Sequence, residues 1–145
     1  MHPTPAQPRT VLVVEDNPDD ADLLRLASRE LPSAIGFHFV LDGEQAIAYL
    51  KGEGPFGDRK AHPLPDLLLL DLWLPGIDGF EVLAWVRNHS QFKDLKVFVW
   101  TDSSLPEVID RASRAGANRF IHKAVAFMRG GSAGLLSGIS QAILP

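Results

Sequence analysis

The run Asp66-Leu67-Leu68-Leu69-Leu70-Asp71 constrains this chain more than any other feature. Four consecutive leucines leave no polar face, so the segment reads as a central strand buried on both sides, and it stops at a carboxylate. A strand of that kind needs a layer on each face, which helices joined by crossovers supply.

The flanking sequence repeats the pattern. Val11 to Val14 is a β-branched run that ends at Glu15-Asp16. Asn17 then precedes Pro18, an N-cap followed by proline at the first helical position, with Ala21, Leu24, Ala27 and Leu31 at helical spacing. Phe37 to Leu41 reads as a second strand, and Asp42 with Gln45 makes a capping box for a helix through Leu50, striped by Ala46, Tyr49 and Leu50. Residues 52–65, rich in Gly, Pro and charge, read as a long surface loop. After a loop over 72–79, Phe80, Leu83 and Ala84 define a third helix ending near His89. Val97 to Trp100 form a fourth strand ending at Thr101-Asp102, and a helix from Pro106 to Ala115 closes at Gly116. Asn118 to His122 form a fifth strand ending at Lys123. Leu135, Leu136, Ile139 and Ile143 mark a last helix, which Gly130, Gly131 and Gly134 make late-starting and frayed. Five strands alternating with helices predict an α/β domain with a parallel sheet. Residues 1–9, with three prolines, read as a flexible tail and residues 10–145 as one domain.

Composition removes several function classes. Absent cysteine excludes disulfides, thiolate metal sites and thiol catalysis, and makes a reducing cytoplasm the expected location. A net charge of -4 with no Lys/Arg-rich run argues against direct nucleic-acid binding. No segment reads as a membrane span or a secretory signal.

Ligands of open parallel sheets bind beyond the carboxyl ends of the strands, and here those ends carry Glu15 and Asp16, Asp71, Thr101 and Lys123. Three crowded carboxylates need raised pKa values or a cation between them, and a hard divalent ion such as magnesium suits oxygen donors. Singly, each residue has an ordinary structural explanation: a helix cap, a solvated lysine, a core Phe120. Their joint order, four strand ends around one long Asp-containing loop, is hard to obtain from capping alone.

From Val11-Leu12-Val13-Val14-Glu15-Asp16 to Phe120-Ile121-His122-Lys123 the chain resembles the receiver domains of bacterial response regulators. The most specific piece is Asp71-Leu72-Trp73-Leu74-Pro75-Gly76-Ile77-Asp78-Gly79. The resemblance implies a flavodoxin/CheY-like, doubly wound five-stranded sheet of order 2-1-3-4-5. It implies Asp71 as the phosphoacceptor and Asp16 as the direct ligand of Mg2+. It further implies Glu15 as an outer ligand through water and Trp73 as a ligand through its backbone carbonyl. Thr101 and Lys123 would serve the phosphoryl oxygens, and Phe120 would change rotamer with Thr101. The function implied is a phosphoacceptor signalling protein rather than an enzyme, served by a sensor histidine kinase and acting on a protein partner or a phosphotransfer protein. Pairing into a homodimer through the fourth helix, fifth strand and last helix is the family habit. More narrowly, Asn17-Pro18-Asp19-Asp20-Ala21-Asp22, the long loop before Asp66 and the lack of an output domain are similar to single-domain regulators that serve bacterial phytochromes.

Two residues depart from the family pattern. Ala124 follows Lys123 where proline is usual, so the loop there is expected to differ, and Asp102 after Thr101 adds a carboxylate whose side chain must turn away. Two other readings remain. A haloacid-dehalogenase-type hydrolase needs an Asp-x-Asp nucleophile motif, but position 73 is Trp. A pseudo-receiver that only binds partners would be expected to lack acceptor residues, yet the main ones are present.

Overall fold

The four-leucine run forms β3 (Leu67–Asp71), buried along its whole length, in the computed structural model, which describes residues 8–126 and 131–144. It pairs with β1 (Arg9–Val14) on one side and β4 (Lys96–Thr101) on the other. With β2 (Ile35–Val40) outside β1 and β5 (Arg119–His122) outside β4, the order is β2-β1-β3-β4-β5, parallel throughout. Register sets Val14 beside Leu70, Asp71 beside Trp100 and Thr101 beside His122, so four strands finish almost level.

Successive strand side chains point to opposite faces and build two cores. Leu12, Val14, Leu68, Leu70, Val97 and Val99 pack under α2 (Gly43–Lys51), α3 (Gly79–Asn88) and α4 (Pro106–Arg114). Val11, Val13, Leu67, Leu69, Phe98 and Trp100 pack under α1 (Pro18–Ser28) and α6 (Gly131–Ile143). Burial of each large apolar side chain is worth about 1.5–3 kcal/mol, so the interleaved leucines fix the register that aligns the strand ends.

Local signals act as their chemistry requires. Asn17 Oδ1 accepts from the Asp19 and Asp20 amides, and Asp42 accepts from Gln45 N at 2.7 Å. The Gln45 side chain closes the box on Leu41 N rather than on the cap's own amide. Residues 52–65 are pinned: Arg59 donates to the Tyr49 and Leu50 carbonyls at 2.7 and 2.8 Å, and Tyr49 Oη donates to Pro63 O at 2.9 Å. Arg59 thereby serves two of the last carbonyls of α2, of which that of Tyr49 also accepts from Gly52 N, and Gly54–Phe56 adds one 3-10 turn.

Several boundaries move. β1 begins at Arg9, taken from the predicted tail, because Arg9 N donates to Ala34 O and Asp66 accepts from Thr10 N at 2.8 Å. Residues 1–7 of that tail lie outside the described residues. Leu31 falls beyond α1, which ends at Ser28, yet still packs against the second core. In α3 it is Phe80, Val82, Leu83 and Val86 that are buried, while Ala84 is exposed. Lys123 opens a one-turn helix, α5 (Lys123–Ala126), and no cis peptide occurs among the described residues. The last helix runs over Gly131–Ile143 and takes in both Gly131 and Gly134, whereas Gly130 lies outside the described residues. Leu135, Leu136, Ile139 and Ile143 are all buried, so they cover the sheet rather than wait for a second subunit.

Candidate functional site

The level strand ends gather the polar residues. Glu15, just past β1, is only 1% exposed; its amide donates to Val40 O, and its Oε2 accepts from Asn17 N at 3.1 Å. Asp16 beside it is exposed. Asp71 closes β3 almost fully buried, its Oδ1 accepting from Trp73 N at 3.0 Å. Carboxylate oxygens of Glu15, Asp16 and Asp71 lie within 4.8 Å of one another, two of the residues buried and one open to water.

Lys123 arrives from the end of β5 and stands among acids. Its Nζ donates to Glu15 Oε1 at 2.5 Å, Asp20 Oδ2 at 2.9 Å and Asp71 Oδ2 at 3.0 Å, and lies 4.7 Å from the centre of the Trp100 ring. Burial pushes the Glu15 carboxyl up to about 7, and the charge of Asp71 adds to that. The Lys123 hydrogen bond and the Asn17 amide pull the other way without cancelling it. For Lys123, burial disfavours the ammonium, but hydrogen bonds to Glu15 and Asp20 and the charge of Asp71 outweigh it and hold the group above the ordinary lysine range. The buried acids and the lysine thus form one electrostatic unit.

The loop after Asp71 is built for close approach. Asp78 caps α3 by accepting from Glu81 N at 2.9 Å, and Gly79 N donates to Leu72 O at 2.8 Å. A Cβ on Gly79 would collide with the Asp71 carbonyl, so only glycine lets α3 start against the end of β3. Gly76 takes a left-handed φ of 71°, which turns Ile77 N toward Glu44 Oε1 at 3.2 Å.

Of the residues singled out from sequence, Glu15, Asp16, Asp71 and Lys123 come together. Thr101 ends β4 on the same edge, fully buried, with its Oγ1 accepting from Ser103 N at 3.4 Å. Phe120 sits on β5, half-buried against the first core. Trp73 is about half exposed and meets the Phe80 ring edge-on. Asp102 is exposed, as its charge demands. Asp20 was not singled out, although it binds Lys123 directly. Its place in the first turn of α1 has a sufficient explanation in the helix dipole, which hides the second role.

A family model of the response regulator receiver domain matches residues 11–130. The chain belongs to that family. This receiver is 34% identical over 121 residues to a probable methanogenesis regulatory protein, FilR2, of Methanothrix harundinacea, a match covering 83% of this chain and 75% of that one. Its fold superposes with a TM-score of 0.80 on the phosphorylated cyanobacterial phytochrome response regulator RcpA, at 30% identity and 92% coverage of both chains. The Mn2+-bound form of response regulator Rcp1 gives a TM-score of 0.78 at 27% identity, covering 92% of this chain and 93% of that one. Receivers of two-component systems are signalling proteins, and the acidic cluster lies at the edge where the receiver sheet gathers its polar residues. No helix among the described residues is long and apolar enough to cross a membrane.

Proposed function

We propose that Asp71 accepts a phosphoryl group from the phosphohistidine of a sensor histidine kinase, with Mg2+ held by Asp16 and Asp71 directly, by Glu15 through water and by the Trp73 carbonyl. The observation that carries this reading is the position of the Asp71 carboxylate: it is held by Lys123 on one oxygen and by the Trp73 amide on the other, with two further acids beside it. The donor set fits a hard divalent ion. All three side chains offer oxygen, the exposed Asp16 leaves a wet side, and a second positive charge would offset the burial, and the lesser repulsion by Asp71, that hold the Glu15 carboxyl near 7. When bound, such an ion supplies positive charge to the equatorial phosphoryl oxygens.

In the transfer, an Asp71 oxygen attacks phosphorus in line, the new O–P bond forms, and the P–N bond breaks with its electron pair returning to the imidazole. Lys123, itself buried, neutralises charge on the phosphoryl oxygens from the side of the site that is least screened by water. The acyl phosphate then offers acceptor oxygens that Thr101 can reach only by moving, and Phe120 follows into the space beside β5, which biases a two-state surface toward a protein partner or a phosphotransfer protein. Similarity to RcpA supports a phytochrome-type kinase as the donor. The protein acts as a phosphoacceptor rather than a turnover enzyme, in the cytoplasm, and pairing into a homodimer belongs to the same reading.

Intact-mass analysis after incubation with acetyl phosphate and Mg2+ tests it. One added phosphoryl group on the parent, absent without Mg2+ and absent in Asp71→Asn, is the expected result. No adduct on the parent would favour a pseudo-receiver that only binds partners.

A further inference from the structure

An ammonium group has three N–H donors. Lys123 spends all three on carboxylates from three different elements: Glu15 after β1, Asp20 in the first turn of α1, and Asp71 at the end of β3. We infer that Asp20 is a positioning residue for Lys123: by fixing one ammonium hydrogen while Glu15 fixes another, it aims the third at the oxygen edge where the phosphoryl group arrives. The inference rests on the reading of Asp71 as phosphoacceptor.

The geometry gives Asp20 a part that neither neighbour can play. Lys123 has a flexible four-carbon stem, and once its hydrogen bond to Asp71 is given up a single tether at Glu15 would leave its head free to swing about that bond. Asp20 Oδ2 at 2.9 Å supplies the second tether, and its backbone is itself fixed because its amide donates to Asn17 Oδ1. With two hydrogens held, the remaining one points at Asp71 Oδ2 at 3.0 Å. With acetyl phosphate as donor, the Asp71 O–P bond forms and the donor's P–O bond breaks, its electron pair leaving on acetate. Asp71 then loses its negative charge and becomes a weaker acceptor. The third hydrogen passes to a phosphoryl oxygen while the first two stay where they are, so the lysine meets developing charge without reorganising.

The charge of Asp20 works against this benefit, since a further carboxylate repels a dianionic donor. The two effects separate by substitution. Asp20→Asn keeps an acceptor oxygen and removes the charge, whereas Asp20→Ala removes both. Asp19→Ala serves as control, because Asp19 shares the first turn of α1 but makes no contact with Lys123.

Phosphorylation is followed by mass against acetyl phosphate concentration in saturating Mg2+, with Asp71→Asn as the blank. For Asp20→Ala the maximal rate is expected to fall about tenfold, as suits a lost charge-assisted hydrogen bond, while Asp19→Ala stays at the parent value. Asp20→Asn is expected to hold a maximal rate near the parent's with a lower KM. Equal rates for parent and Asp20→Ala, or equal losses in the Ala and Asn variants, overturn the assignment. A parent that takes up no phosphoryl group would sink the function proposed above, so the tether is also read without phosphorylation, by 15N NMR of the Lys123 ammonium. Slow hydrogen exchange in the parent and Asp20→Asn, and fast exchange in Asp20→Ala, is expected; equal exchange in all three overturns it.

Discussion

The guanidinium of Arg111 in α4 sits 3.8 Å from the centre of the Phe80 ring at the start of α3. The same ring receives Trp73 edge-on at 6.1 Å, so a stack of three side chains runs from the loop after Asp71 to α4. α4 fully buries only Ala112 and packs Val108 half-buried against the first core, so this contact adds to a thin anchorage. Cation–π pairs at such sites are worth about 0.5–1 kcal/mol. Arg111→Ala is therefore expected to speed hydrogen exchange in α4 about two- to fivefold with little change at the central strands. Unchanged exchange in α4 would mean that its backbone contacts suffice.

Trp73, two residues past Asp71, is large, half exposed and braced on Phe80, a side chain of the size needed to cover one side of an acyl phosphate on Asp71. A bulky ring there hinders an attacking water. Slow self-dephosphorylation is the expected consequence, with Trp73→Asn losing the phosphoryl group several-fold faster. Decay of the phosphorylated species after the donor is removed measures it, and equal or faster decay in the parent defeats the idea.

Much of this was legible from sequence, for identifiable reasons. The strands could be read because Leu67 to Leu70 and Val11 to Val14 are apolar on both faces, and the site because its residues are the polar ones at which those runs stop. Caps at Asn17, Asp42 and Asp78 lie next to the helices they serve, so local spacing reveals them. What escaped depends on contacts distant in sequence. Arg9 joins β1 because Asp66 and Ala34 wait for it, Arg59 turns a stretch of Gly and Pro into an ordered strap, and Asp20 meets a lysine 103 positions away. Ala84 was misplaced because a stripe drawn through Phe80 and Leu83 rotates away from the face that Val82 and Val86 share.

Gly79→Ala should be costly although the residue has an ordinary helical role. A Cβ there meets the Asp71 carbonyl and the Leu72 backbone, neither of which can swing aside as a side chain would. Relief requires α3 to shift from β3, so a loss of about 1–3 kcal/mol is expected, the usual range for overpacking. Because the shift moves Asp71 itself, phosphorylation by acetyl phosphate should slow in the same variant. Chemical denaturation with a parallel phosphorylation assay checks both, and a variant with the parent's midpoint would show that the loop can yield.

His38 on β2 gives the fold an acid-sensitive corner. Its ring packs 6.2 Å from that of Tyr49, which in turn meets His62 at 5.7 Å and Phe56 at 5.2 Å. Burial holds the His38 imidazole below the ordinary histidine range, and the charge of His62 adds to that. A folded-state value below the unfolded one means that the unfolded chain binds the proton first. The contribution is therefore present above the unfolded pKa of 6.5 and is lost as pH falls from there through the folded value. Glu15 acts in the opposite sense: with its carboxyl raised to about 7, the folded chain holds that proton longer, so its contribution is lost as pH rises from the ordinary carboxyl value of 4.5 toward 7. The two cancel in part, and only a difference between variants isolates His38. Denaturation midpoints between about pH 7.5 and 5.5 should decline more steeply toward acid in the parent than in His38→Phe, whatever the absolute stability of that variant. Parallel slopes would assign the acid sensitivity to some other group.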